Sequence, residues 1–309
     1  MKKGIIYIAC LLIAVGLSLV ALNKIIPKPD KSSSYYAALE DKEALLKSLP
    51  AGKIILVGGS NVAFGFDSEK ISKELNRPVC NTGLYGGSPL ELYLNLALAN
   101  CKKNDIIILI PEYQYWFETN FSKPEFFNLA YSYPQALDYY DRENRLKLKA
   151  EFLLYQLDYR LWYYIRGEYK VKEDKFYRRS NFNKYGDFVG HLDSIIDLKE
   201  YTVDFSSLKK DPSATTIKLI SSFMENCKKK GATCYLSFPA ADIYFISPYK
   251  VRLEVLYTTC NKDFPGSILE NPVTLIWPQS YFFDTVYHLS KEGREKRTQL
   301  LIEAIKKMH

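Results

Sequence analysis

At 309 residues, with 47% hydrophobic and 25% charged side chains, the chain has a globular composition that excludes a disordered or fibrous protein. Its net charge of +7 is scattered among acidic residues. It therefore shows no basic stripe of the kind nucleic acid requires, and it is more compatible with an anionic surface or substrate.

The chain begins with Lys2-Lys3 and an uncharged run from Gly4 to Leu22, closed by Asn23-Lys24. A run of that length spans the hydrocarbon core of a bilayer, about 30 Å. Residues 1–23 read as an uncleaved membrane anchor. A cleaved signal is the competing reading, but no small-x-small site follows the run. Basic residues flank both ends, so charge bias leaves the orientation open. An export-type anchor would put the domain outside the cytoplasmic membrane, in the cell envelope. Residues 24–34, with two prolines, charge and a serine run, read as a linker.

A single domain is expected over 35–309, beginning with a short helix from Tyr35 to Leu49. Strand–turn–helix units follow. Lys53–Gly58 is a predicted strand, and Asp67 or Ser68 caps a helix through Leu75. Pro78–Asn81 is a short strand. Ser88-Pro89-Leu90-Glu91 has the pattern of an N-cap, a proline at the first helical position and a capping-box Glu, for a helix to about Cys101. Asp105–Ile110 is a continuous apolar strand, of the kind buried on both faces of a parallel sheet.

Beyond Pro111 the alternation breaks. Residues 113–211 form a Tyr-rich insert with helical character around Arg145–Arg166. The alternation returns with a helix over Ile217–Lys230 and a strand over Ala232–Ser237. Helical spacing recurs near Tyr249–Cys260, a short strand near Tyr281–Phe283, and a closing amphipathic helix runs from Ser290 to Met308. Strands alternating with helices predict an α/β fold with a doubly wound parallel sheet. Its active site belongs at the carboxyl ends of the strands. Ser60, Gly86, Glu112 and Asp284 all fall just after predicted strands.

Six cysteines include no CxxC pair and histidines number only three, so neither a zinc site nor any other metal or cofactor is expected. Cys227–Cys234 is the one disulfide considered; buried free thiols are the preferred reading.

Two separated motifs carry the chemistry. Gly58-Gly59-Ser60-Asn61 follows a strand, setting Ser60 where the chain turns sharply into a helix. Asp284-Thr285-Val286-Tyr287-His288 precedes the last helix. A serine nucleophile needs a base, and the base needs a carboxylate to fix its tautomer. Taken alone, each motif has a plainer reading as a turn or a capped loop. Their combination, with Gly86 between them, favours a site.

These two motifs, together with Asn81-Thr82-Gly83-Leu84-Tyr85-Gly86, resemble the SGNH (GDSL-type) hydrolase superfamily over about residues 50–112 and 212–308. The anchor and the aromatic middle look most like its bacterial cell-surface branch, which includes proteins of alginate O-acetylation and of D-alanyl transfer to teichoic acids. The resemblance implies Ser60 as nucleophile, His288 as general base and Asp284 as its orienting acid. It also implies backbone N–H groups of Ser60 and Gly86 as oxyanion donors.

Two departures stand out. The family's third block supplies an Asn side chain to the oxyanion, whereas this strand ends in Pro111-Glu112-Tyr113-Gln114. Loss of such a donor costs about 3 kcal/mol, with Asn61, Tyr113 or Gln114 as replacements. The Asp-to-His spacing is also one residue longer than the family's commonest version.

Candidate substrate contacts are Asn61, Glu112 and Gln114 at the strand ends, and Arg178, Arg179 and Tyr185 in the insert. The plainer reading of the Asn181–Asp187 segment, a turn, is preferred. Glu112 is equally well read as a solvated loop residue, and His191 as structural. Most of the aromatic surplus reads as core, with some rings available to stack on sugars.

The expected activity is ester chemistry, by an esterase or an O-acyltransferase, on a cell-surface carbohydrate. A membrane acyltransferase partner is implied by family analogy. The alternatives are a non-catalytic anchored scaffold and a lipase or thioesterase.

Overall fold

A computed structural model describes residues 2–25, 30–117, 122–166, 174, 176–194 and 206–308. Helix α1 spans Lys2–Ile25, and its stretch Lys3–Leu22 is long and apolar enough to cross a membrane. Of the predicted linker, 24–25 continue α1 and 26–29 lie outside the described residues.

From there the chain runs through α2 (Ala38–Ser48), β1 (Ile54–Gly58), α3 (Ser60–Gly65), α4 (Ser68–Leu75), β2 (Val79–Asn81), α5 (Leu90–Asn100) and β3 (Ile106–Ile110). Helices α6 (Tyr113–Phe117), α7 (Lys123–Ser132) and α8 (Arg142–Arg166) follow. The C-terminal third holds α9 (Ala214–Lys229), β4 (Thr233–Leu236), β5 (Ala241–Asp242), α10 (Ile243–Ile246), α11 (Lys250–Asp263), β6 (Ile276–Trp277) and α12 (Lys291–Met308).

Four strands form a parallel sheet in the order β2-β1-β3-β4. Ile54 pairs with Val79 on one side and Ile106 on the other, and Ile106 pairs in turn with Thr233. The unbroken apolar runs of β1 and β3 are explained by burial on both faces. Ile55, Val57, Ile107 and Leu109 face a core shared with Leu46 of α2, Leu96 of α5 and Ile220 of α9. Ile54, Leu56, Ile106 and Ile108 face a second core closed by Ile71 of α4 and by Leu301, Ile302 and Ile305 of α12. The period-2 alternation of each strand thus feeds two layers of helices. The arrangement is mixed α/β.

A buried ion pair pins the entrance to the sheet. Lys53 Nζ lies 2.6 Å from Asp105 Oδ2, both side chains being wholly buried. Asp105 Oδ1 also accepts from the backbone N–H groups of Gly52 and Lys53. Replacing Asp105 with Ala strands the Lys53 cation, so a loss of about 3–5 kcal/mol is expected in urea unfolding.

Two sequence expectations need correction. Tyr281–Phe283 is not a strand. Gln279–Tyr281 is a turn of 3₁₀ helix, Phe282 only bridges Leu289, and the strand in this region is β6, paired with β5. Pro278 restricts the residue before it and itself opens that 3₁₀ turn, which ends the strand early. Ser88 does not cap α5: the cap position is the extended Pro89, with no side-chain cap hydrogen bond. Ser88 instead closes a turn through its N–H to Tyr85 O, and its carbonyl accepts from Tyr115 Oη. All six cysteines are free, in keeping with the preferred reading, and the Cys227–Cys234 pair is not formed.

Candidate active site

The turn from β1 into α3 sets Ser60 as the first helical residue, half-buried, directly after Gly59. Asn61 locks the turn. Its Oδ1 accepts from the Gly59 N–H at 3.1 Å and its Nδ2 donates to the Ile110 carbonyl at 3.0 Å, tying α3 to the end of β3. The Asn61 side chain is therefore spent on scaffolding and is not available to a substrate or an oxyanion. Close backbone approach explains the glycines here. A Cβ on Gly59 would lie 2.5 Å from Glu112 Oε1 and 2.9 Å from the Gly86 Cα, and one on Gly86 would run into Glu112 Oε2.

Glu112 follows β3 and is only 2% exposed, so it is not a solvated loop residue. Ser60 Oγ lies 3.1 Å from Glu112 Oε1, and the Asn61 N–H lies 3.3 Å from the same oxygen. Gln114 Nε2 donates to Glu112 Oε2 at 2.6 Å, while Gln114 Oε1 accepts from Tyr287 Oη at 3.0 Å. Gln114 thus holds Glu112, with both ends of its amide engaged. Tyr113 is buried, with its hydroxyl donating to the Pro239 carbonyl at 3.0 Å. Neither side chain is placed as the replacement donor that the sequence reading considered. Burial pushes the Glu112 carboxyl up, against the opposing pull of the Asn61 N–H, His288, Ser60 and Gln114.

Asp284 and His288 occupy a loop between the 3₁₀ turn and α12. Phe283 N–H donates to the His288 carbonyl at 2.8 Å, and Thr285 Oγ1 accepts from the N–H groups of Tyr287 and His288. That closure absorbs the extra residue in the Asp-to-His spacing. Asp284 Oδ1 sits 2.7 Å from His288 Nδ1, leaving Nε2 as the nitrogen for proton transfer. Burial raises the Asp284 carboxyl, but the His288 bond and charge and the Tyr177 hydroxyl outweigh it and hold it below its ordinary value.

Two residues that sequence reasoning missed complete the assembly. Phe64 lies four positions after Ser60 on α3 and stacks on His288, with ring centroids 3.8 Å apart and planes 5° apart. It holds the imidazole against α3, the helix that Ser60 opens. Tyr177 donates its hydroxyl to Asp284 Oδ2 and lies 3.3 Å from His288 Nδ1. Spacing could have suggested Phe64, which shares a face of α3 with Ser60. Nothing distinguishes Tyr177 from the other tyrosines around it.

No protein-family model fits the chain, and no curated protein is similar to it in sequence. The case for a site therefore rests on the chain's own geometry.

The remaining candidates are engaged elsewhere. Arg179 pairs with Asp41 at 2.6 Å and Glu40 at 3.0 Å, and Arg178 Nε reaches Asn181 Oδ1 at 3.3 Å. The Tyr185 carbonyl accepts from the Asn81 N–H at 2.9 Å, with Lys184 over its ring. All three brace the segment against the start of the domain and β2. The Asn181–Asp187 segment is a structural turn: Asp187 is buried and binds Ser68, Asn81 and Arg294. His191 is also structural. Its Nε2 is 2.9 Å from the Leu289 carbonyl, and burial lowers its pKa to about 4. Among the described residues no cluster of side chains could hold a metal ion.

Proposed function

We propose that the protein carries out serine-dependent acyl-ester chemistry through a Ser60 acyl-enzyme, as an esterase or O-acyltransferase acting on a cell-surface carbohydrate. The observation that carries this reading is convergence. Ser60 after β1, Gly86 after β2 and Glu112 after β3 meet at the carboxyl ends of the strands, beside a bonded Asp284–His288 pair.

In the mechanism, His288 Nε2 takes the Ser60 proton as Oγ bonds to the ester carbon and the carbonyl electron pair moves onto oxygen. Backbone N–H groups of Ser60 and Gly86 receive that oxyanion. Collapse breaks the bond to the leaving alcohol, which takes the proton from His288. Water as acceptor then gives hydrolysis, and a sugar hydroxyl gives transfer. The resemblance to the SGNH superfamily, with its doubly wound sheet, supports both the roles and the polysaccharide substrate. The apolar N-terminal helix supports anchoring, with the domain in the cell envelope beside a membrane acyltransferase partner.

A second reading is a non-catalytic anchored scaffold that binds polysaccharide or that partner. It is favoured by one observation, the hydrogen bond that turns Ser60 Oγ towards Glu112.

Labelling of the full chain with a fluorophosphonate, followed by peptide mass spectrometry, separates the two. Covalent modification at Ser60 is expected. Its absence, with intact folding by circular dichroism, would overturn the enzyme reading in favour of the scaffold.

A further inference from the structure

The third-block position holds an acid in place of an amide, and its carboxyl lies against Gly59 and Gly86 with Oε1 3.1 Å from Ser60 Oγ, beside where an ester carbonyl attacked by Ser60 would stand. An ionised carboxylate there would oppose the developing oxyanion with like charge. The groups that face it come from every element around the pocket: Ser60 and the Asn61 N–H from α3, Gln114 from α6, and His288 and Tyr287 from the loop before α12. The phenols of Tyr35, Tyr93 and Tyr115 complete the surroundings. Among these groups His288 alone can offer a compensating cation. A neutral carboxylic acid, in contrast, is a hydrogen-bond donor.

We infer that Glu112 acts as a neutral acid whose hydroxyl is the side-chain donor to the oxyanion formed when Ser60 attacks. The inference rests on the proposed acyl-ester chemistry. In the resting site the Ser60 Oγ–Glu112 Oε1 contact is a hydrogen bond to which either oxygen can contribute the proton. During attack the Ser60 proton goes to His288 Nε2 and the carbonyl pair moves onto oxygen. Glu112 O–H binds that oxygen without giving up its own proton. When the intermediate collapses, the carbonyl re-forms, the leaving alcohol takes its proton from His288, and Glu112 is unchanged. A buried acid kept neutral to donate is known chemistry at oxyanion sites.

The dependence on pH has a defined sign. Burial raises the carboxyl's titration, so the donor is present on the acid side and is lost as pH rises through that value. The alkaline limb of the rate profile belongs to Glu112.

The test is the rate of Ser60 phosphonylation by a fluorophosphonate, whose tetrahedral adduct uses the same pocket. It is run on the full chain in detergent, from acid to alkaline pH, for wild type, E112Q and E112A. E112Q keeps a neutral donor and cannot ionise. It is expected to label within about tenfold of wild type and to lose the alkaline limb, whereas E112A slows about 10²–10³-fold. E112Q as slow as E112A would show that the negative charge is needed, and would overturn the assignment. So would a wild-type rate that does not fall at alkaline pH, a measurement independent of how the variants fold. Both outcomes leave Ser60 labelled and touch only Glu112. Failure of wild type to label at Ser60 would overturn the acyl-ester reading and this inference together.

Discussion

Ser60→Ala and His288→Ala are each expected to lower kcat for an activated acetyl ester by about 10⁶-fold, and the double variant by no more than either alone. On the proposed mechanism the two side chains act as a unit. Ser60 Oγ is a poor nucleophile until a base takes its proton, and His288 has nothing to deprotonate once Ser60 is gone. Asp284 fixes Nδ1 at 2.7 Å and Phe64 stacks on the ring, so His288 has few other positions to adopt. Turnover of p-nitrophenyl acetate by the full chain, beside both single variants and the double, is the measurement. Losses that multiply in the double variant would mean that Ser60 and His288 contribute independently, and would refute a shared proton-transfer step.

The placement of both residues was legible because each stands in a pattern with a local physical reason. Ser60 follows a continuous apolar strand and a Gly pair, a combination that suits a sharp strand-to-helix turn. Asp284 and His288 precede a helix start. The parallel sheet was legible too, since Ile54–Gly58 and Ile106–Ile110 are apolar at every position and are buried on both faces. Their ends then fixed where Gly86 and Glu112 had to lie.

Roles that depend on packing were less legible. Glu112 could be placed at a strand end, but its burial comes from Gly59 and Gly86 allowing its carboxyl between them, a contact across three strands. Asn61 and Gln114 looked like substrate contacts because they are polar and adjacent. Their bonds to Gly59, Ile110, Glu112 and Tyr287 show them to be supports. Arg178 and Arg179 stand beside a turn motif, yet Arg179 is spent on Asp41 and Glu40, far away in sequence. The false strand at Tyr281–Phe283 arose because an aromatic run satisfies β propensity whether or not a partner strand exists. Tyr177 is the clearest omission: one phenol among many, distinguished only by the fold that brings it to Asp284.

Asp284→Asn is expected to reduce kcat by about 10⁴-fold with little change in KM, because the loss is one of tautomer rather than of binding. The carboxylate accepts the proton on His288 Nδ1 and leaves the Nε2 lone pair for Ser60. An amide can instead present its NH₂ to Nδ1, which favours the opposite tautomer and removes the acceptor. Tyr177 separates the two functions of Asp284. Tyr177→Phe deletes a donor to Oδ2 but keeps the 2.7 Å bond from Oδ1 to Nδ1. Its expected cost is therefore about tenfold, the scale of one hydrogen bond to a charged group. The Tyr177 hydroxyl is one of the groups holding the Asp284 carboxyl below its ordinary value, so its removal lets that value rise. The carboxylate is present above its pKa and lost as pH falls through it, so the acid edge of activity should move to higher pH in Tyr177→Phe. In Asp284→Asn that titration is gone and the deficit persists at every pH. Equal losses in both variants, with no movement of the acid edge, would mean that Tyr177 only fills space and that Asp284 acts by packing alone.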